Sequence, residues 1–138
     1  MIRVVLDTSV LVSALLSPAG APADILRGWA DGRFDVIVCP AQLFELERAL
    51  AYPKLSSYIT AEEAAEYASS IERRAVVAED PVNAGQVTRD PNDAYIVALA
   101  RDAGVHVIVS GDKDLLDLEL EDIRTLSPRA FLDRLGGD

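Results

Sequence analysis

An α/β fold, a parallel sheet wrapped by helices, is predicted by three features of this 138-residue sequence. Strand-like and helix-like segments alternate along the chain, with no internal repeat and no low-complexity tract. The strand-like segments are continuous apolar runs, as expected when helices cover both faces of a sheet. Two of these runs also lead straight into acids. Ile2-Arg3-Val4-Val5-Leu6 meets Asp7-Thr8-Ser9, and Val105-His106-Val107-Ile108-Val109 meets Ser110-Gly111-Asp112-Lys113-Asp114. In open parallel sheets the functional crevice lies at the C-terminal edge of the strands.

The elements follow in order. After the first strand, Thr8 to Leu16 reads as a helix, and Ser17-Pro18-Ala19-Gly20-Ala21-Pro22 is the clearest loop. Ala23 to Ala30 reads as a second helix, ended by Asp31-Gly32, and Val36-Ile37-Val38 as a short buried strand. Ala41 to Ala51 carries Leu43, Leu46 and Leu50 at helical spacing, and Pro53 stops it. Thr60-Ala61-Glu62-Glu63 has the form of a capping box opening a helix to about Arg74. Val76-Val77 is a strand, and Asp80 to Arg89 a loop. Asp90-Pro91-Asn92-Asp93 opens a helix with proline at the favoured first position, and Ser127-Pro128 repeats the device before a last helix through Leu135.

Half the residues are apolar, and a chain of this length is expected to form one domain, 1–138, that buries roughly two thirds of its unfolded surface. The apolar runs are shorter than a membrane span and the N-terminus lacks a secretory pattern, so a soluble, cytoplasmic protein is expected. Cys39 is the only cysteine, which excludes an intramolecular disulfide and a cysteine-based zinc site, and it is expected to be a small core residue. The 13 basic and 23 acidic residues leave a net charge of −10, which opposes non-specific attraction to a polyanion. Cations held by clustered acids would reverse that sign locally.

Four acids stand where function is expected: Asp7, Glu45, Asp93 and Asp112. Asp93 shares a helical stripe with Ile96, Val97 and Ala100, the stripe expected to pack on the sheet. A carboxylate there must be protonated, paired with a base or bound to a cation, unless it closes a capping box with Asp90 near solvent. Asp7 has the bland alternative of capping the helix that follows it. Asp112 repeats its placement after another strand, and if those strands are neighbours, about 4.8 Å apart, the two carboxylates approach closely. Two unit charges about 4 Å apart at an effective dielectric of about 20 repel by roughly 4 kcal/mol, which a divalent ion such as magnesium relieves. Spacing cannot choose between Glu45 and Glu47, both on the flanks of the leucine stripe, and an ion pair of Glu45 with Arg48 is the alternative to a site role. His106, inside a predicted strand, is expected to be structural. Neither a dinucleotide-binding glycine motif nor a phosphate-binding loop follows any strand, which disfavours a dehydrogenase or an ATPase.

Taken together, Val5-Leu6-Asp7-Thr8-Ser9, Glu45-Leu46, Asp90-Pro91-Asn92-Asp93 and Val109-Ser110-Gly111-Asp112-Lys113-Asp114-Leu115 resemble a PIN domain, the likeness running on to Leu126-Ser127-Pro128-Arg129-Ala130-Phe131-Leu132. It is most similar to the subgroup related to VapC, toxins of toxin-antitoxin systems. The resemblance implies a Rossmann-like three-layer α/β/α sandwich around five parallel strands, and a ribonuclease dependent on one or two Mg2+ or Mn2+ ions. Asp7, Glu45, Asp93 and Asp112 match the family's four acids, with Asp114 as a fifth ligand, a residue orienting water, or a solvated acid at a helix start. Ser9, Thr8 and Ser110 would support the carboxylates, and Asp90 would cap or buttress. Apart from the resemblance, Arg27, Arg48, Arg89 and Lys113 are candidates for gripping substrate phosphates, the alternative being that they solvate the surface. The implied partners are an RNA substrate, a small antitoxin with a basic inhibitory segment, and a second copy if the protein is a homodimer. PIN domains also process ribosomal RNA and cut DNA flaps, and a non-catalytic module binding RNA or protein through the same crevice is a further alternative.

Overall fold

The structure, a computed structural model, describes residues 2–81 and 91–136, with the side chains of residues 91–94 outside the description. Five strands, β1 (Arg3–Leu6), β2 (Asp35–Val38), β3 (Val76–Val77), β4 (Val107–Val109) and β5 (Arg124–Leu126), form one sheet in the order β3-β2-β1-β4-β5. Every pairing is parallel, with Arg3 opposite Asp35, Leu6 opposite Val109, Val38 opposite Val77 and Val109 opposite Leu126. The chain winds outward from β1 to β2 and β3, then crosses back to place β4 on the other side of β1. The topological switch point therefore falls between β1 and β4, which is where open parallel sheets bind ligands.

Alternate strand residues serve two cores, because successive side chains point to opposite faces. Val4, Leu6, Val36, Val38, Val107 and Val109 belong to the larger core, under helices α1 (Thr8–Leu16), α2 (Ala21–Ala30), α3 (Pro40–Leu50) and α4 (Ala61–Arg74), together with α7 (Pro128–Gly136). Val5, Ile37 and Ile108 belong to the smaller one, under α5 (Pro91–Asp102) and the single turn α6 (Lys113–Leu116). This is the three-layer α/β/α arrangement expected from the unbroken apolar strands.

Local signals placed most helices. The capping box of α4 is complete: Glu63 N donates to Thr60 Oγ1 and Thr60 N to Glu63 Oε1, each at 3.0 Å. These bonds to its charged form hold the Glu63 carboxyl below the usual glutamate range. Two helices begin earlier than the sequence suggests, α2 at Ala21 and α3 at Pro40, because proline in the first turn gives up only an amide that has no helical partner anyway. β4 is shorter than the apolar run. His106 lies outside it and is exposed, with Nδ1 3.2 Å from the Asp122 carbonyl. The predicted loop from Asp80 to Arg89 falls largely outside the described residues.

The core face of α3 differs in one informative way from the leucine stripe. Gln42, Leu46 and Leu50 are the buried residues, and Leu43 is only half-buried. Gln42 is completely buried, and its Nε2 donates to the Leu6 carbonyl at 2.6 Å, tying α3 to the last residue of β1. Gln42→Ala is expected to strand that carbonyl and lower the unfolding free energy by about 1–3 kcal/mol before any cavity cost is added. Urea unfolding checks this; an unchanged midpoint would remove Gln42 as the clasp between the two elements.

Candidate active site

Asp7 occupies the N-cap position of α1, yet its side chain makes no capping hydrogen bond. Its Oδ2 instead accepts from Ser9 Oγ at 2.9 Å and from Ser110 Oγ at 2.8 Å. The second bond reaches across to the end of β4, where the Asp7 backbone amide also donates to the Val109 carbonyl at 2.8 Å. Ser110 is fully buried and bifunctional, since its Oγ also accepts from the Asp112 amide at 2.9 Å. One hydroxyl thus couples the segment carrying Asp7 to the segment carrying Asp112.

Asp112 behaves differently. It caps α6, its Oδ1 accepting from the Asp114 amide at 2.9 Å, so the capping role considered for Asp7 belongs to this residue. Asp114 is exposed in the first turn of α6, with its backbone turned to Asp112, and Lys113 beside it is exposed as well. Asp7 and Asp112 are half-buried and pair with no base among the described residues.

Glu45 approaches the same sheet edge from α3. It is half-buried and accepts a hydrogen bond from the Tyr95 hydroxyl at 2.7 Å, whereas Glu47 is exposed. Burial, reinforced by the Glu45 carboxylate, pushes the Tyr95 phenol well above its ordinary range, so it stays protonated and remains a donor. The Thr8 hydroxyl works weakly against that shift. Thr8 is buried, and its Oγ1 makes no well-formed hydrogen bond. The ion pair of Glu45 with Arg48 is absent among the described residues; the Arg48 guanidinium stands 5.9 Å from the centre of the Phe44 ring. Arg27 turns to Asp24 and to the Pro18 carbonyl, so its reading as a phosphate ligand loses support. Asp93 stands in the first turn of α5, but its side chain, like Asp90 and Arg89, lies outside the described residues.

The donor chemistry fits a hard divalent cation: the groups that converge here are carboxylate oxygens and serine hydroxyls, and the one nearby thiol, Cys39 at the end of β2, is buried. Among the described residues no three acidic, histidine or cysteine side chains by themselves form a metal-holding group. Two clefts flank the acids, one of about 370 Å³ lined by Ser9, Ser13, Gly111 and Asp112, the other of about 560 Å³ lined by Glu45, Arg48 and Tyr95. A larger cleft of about 640 Å³ lies at the opposite end of β4 and β5, around His106 and Asp122. Asp122 in its lining is engaged by Arg101 through two hydrogen bonds, at 2.8 and 3.1 Å.

Two residues that position the acids went unrecognised in the sequence. Tyr95 falls two residues after Asp93, and Gln42 is a polar residue in register with Leu46 and Leu50, which was the available signal. Cys39 is unsuited to act as a nucleophile: it is buried, and burial pushes its thiol up to about 11, with Asp80 adding to the shift.

The family signature described as PIN domain matches residues 3–114. An uncharacterized protein of Methanocaldococcus jannaschii, MJ1680, is 31% identical over 120 residues, which cover 87% of this chain and 77% of that protein. The fold is shared with PAE2754 from Pyrobaculum aerophilum, at a TM-score of 0.66 and 19% identity, covering 99% of this chain and 91% of that one. It is shared also with VapBC2 from Rickettsia felis, solved bound to a DNA fragment from their promoter, at a TM-score of 0.67 and 13% identity, covering 91% and 98%.

Cys39 provides a direct test of the burial described here. Its alkylation by iodoacetamide is expected to be negligible in the folded protein at pH 8 and to become complete only on unfolding, since the thiol is both inaccessible and neutral. Rapid native labelling, read by mass spectrometry, would show that the start of α3 opens to solvent.

Proposed function

The chain belongs to the PIN domain family, whose members are generally nucleases, and we propose that it is a single-domain endoribonuclease that hydrolyses RNA phosphodiester bonds with Mg2+ or Mn2+. The observation that carries the reading is Asp7. A carboxylate at a helix N-cap that forgoes capping, and is instead oriented by hydroxyls from both sides of the switch point, is arranged for an outside ligand.

In this proposal Asp7, Asp93 and Asp112 hold the ion, with Glu45 and Asp114 completing the acidic set. The bound ion would lower the pKa of a water and offset charge on the phosphate. Ser9 and Ser110 fix the Asp7 carboxylate through Oδ2, which keeps its rotamer from depending on the ligand. Tyr95 does the same for Glu45, and Gln42 anchors the first turns of α3 to the end of β1. Lys113 and Arg48, both exposed beside the clefts, are suited to contact substrate phosphates. Water activated by the ion would be the attacking group, so no side-chain nucleophile is needed. The products expected of this route carry a 5′-phosphate and a 3′-hydroxyl.

A toxin role is the biological setting we favour. It draws on the fold shared with VapBC2 and on the −10 net charge, which suits an inhibitor that inserts arginine or lysine into an acidic crevice. RNA processing or DNA repair is the competing setting.

Asp7→Asn and Asp93→Asn are each expected to reduce cleavage of single-stranded RNA at least about tenfold while leaving the circular dichroism spectrum unchanged. Glu45→Gln should do likewise and Glu47→Gln should not, and chelation of metal should stop the wild type. Wild-type rates in the Asp7 variant would sink the assignment; a reversed order of the two glutamates would move the site along α3.

Overexpression of the chain alone is expected to arrest growth, and co-expression with the product of an adjacent small reading frame to relieve it through a complex stable on gel filtration. Unimpaired growth, with active purified nuclease, would favour the processing role.

A further inference from the structure

Aromatic side chains in this protein range from buried to exposed, and Phe44, Tyr52 and Tyr58 are the exposed ones among the described residues. Phe34 and Phe131 are fully buried, their rings edge to face at 5.1 Å, whereas Phe44 and Tyr52 leave 62% and 66% of their surface exposed. Water-exposed rings forgo a large burial gain, so two of them beside one cleft call for an occupant. Phe44 and Arg48 are four residues apart on α3, on one helical face, and Tyr52 follows just past the helix end. Together with Glu45 and Tyr95 they line the cleft of about 560 Å³.

We infer that this cleft is a stacking subsite for unpaired bases of the RNA strand, next to the phosphate being cleaved. The inference rests on the ribonuclease reading above and adds the residues on which the unpaired bases of the strand stack. Glu45 belongs to both the acidic edge and the cleft, so a strand whose phosphate lies at the acids has its neighbouring nucleotide over Phe44 and Tyr52. The lining has the right chemistry. Aromatic rings and guanidinium planes are the groups on which exposed bases stack, and such stacking tolerates any base because every base has a π face. Arg48 already stands over the Phe44 ring, which shows that the ring face accepts a flat cationic group. Protein docking fits less well. Apart from the rings, the apolar lining among the described residues is Ala41 and Ala49, with no leucine, isoleucine, valine or methionine among them to form the apolar centre of an interface. The subsite also answers a difficulty of charge: a protein with a net charge of −10 gains little from its overall field, and stacking supplies affinity that does not depend on that field.

The test uses the full chain carrying Asp7→Asn, so that bound RNA stays intact, in magnesium buffer. Fluorescence anisotropy compares a labelled, unstructured oligoribonucleotide of mixed sequence with an abasic ribose-phosphate chain of the same length. Phe44→Ala and Tyr52→Ala are each expected to weaken binding of the oligoribonucleotide about tenfold. Binding of the abasic chain should be weak from the start and unchanged by either substitution. Phe44→Tyr should retain affinity and Phe44→Leu should not, because leucine preserves apolar area but offers no ring. Full affinity with Phe44→Leu, equal binding of the abasic chain, or an effect of Phe44→Ala confined to oligomeric state on gel filtration would each overturn the subsite. Cleavage of the same oligoribonucleotide by the chain with native Asp7 separates the two levels. If it cuts while binding ignores Phe44 and Tyr52, only the subsite fails; if it neither cuts nor binds, the ribonuclease reading fails with it.

Discussion

The parallel pairing of β1 with β4 is the constraint on which the candidate site depends. These strands are far apart in sequence, yet Leu6 lies opposite Val109, so whatever follows each strand emerges side by side. The Asp7 amide continues the ladder by donating to Val109, and the Ser110 hydroxyl then meets the Asp7 carboxylate. A slip of one residue would turn Leu6 and Val109 toward the wrong core and carry Asp7 away from Ser110. Core packing and site geometry are therefore enforced by the same register.

Around that junction, neutral donors hold the charged groups. Serine hydroxyls hold Asp7, a backbone amide holds one oxygen of Asp112, and a phenol holds Glu45. Neutral donors orient a carboxylate without cancelling its charge, whereas an arginine would compete directly with a cation. The ion pairs among the described residues lie elsewhere, at Asp24 with Arg27 and at Asp122 with Arg101.

Much of the fold was readable because its signals are local. Apolar runs marked β1 and β2, the Thr60–Glu63 box opened α4, and prolines marked the starts of α5 and α7. Two elements escaped because their signals are not local. β5 is three residues, Arg124–Leu126, with an exposed and two half-buried side chains, and it is a strand because β4 offers a free edge. α6 is a single turn, below the length at which periodicity can be read, and it forms where Asp112 supplies a cap. His106 sits in an apolar run but falls outside β4, since its carbonyl bonds to Arg124 as the chain enters the sheet.

The sequence by itself determined the fold class and the acids worth considering, because strand-end placement and apolar spacing follow from the chain's own periodicity. It also left a choice between Glu45 and Glu47, since both lie at the flank of one stripe. Only the tertiary structure separates them. Tyr95, fifty residues away on α5, reaches Glu45 and leaves Glu47 in solvent. Likewise an Asp-Thr-Ser can cap the helix it opens, and the Asp7 carboxylate instead turns to Ser110, one hundred and three residues along the chain. A carboxylate's role depends on which donors surround it in space, and those donors come from strands that only folding brings together.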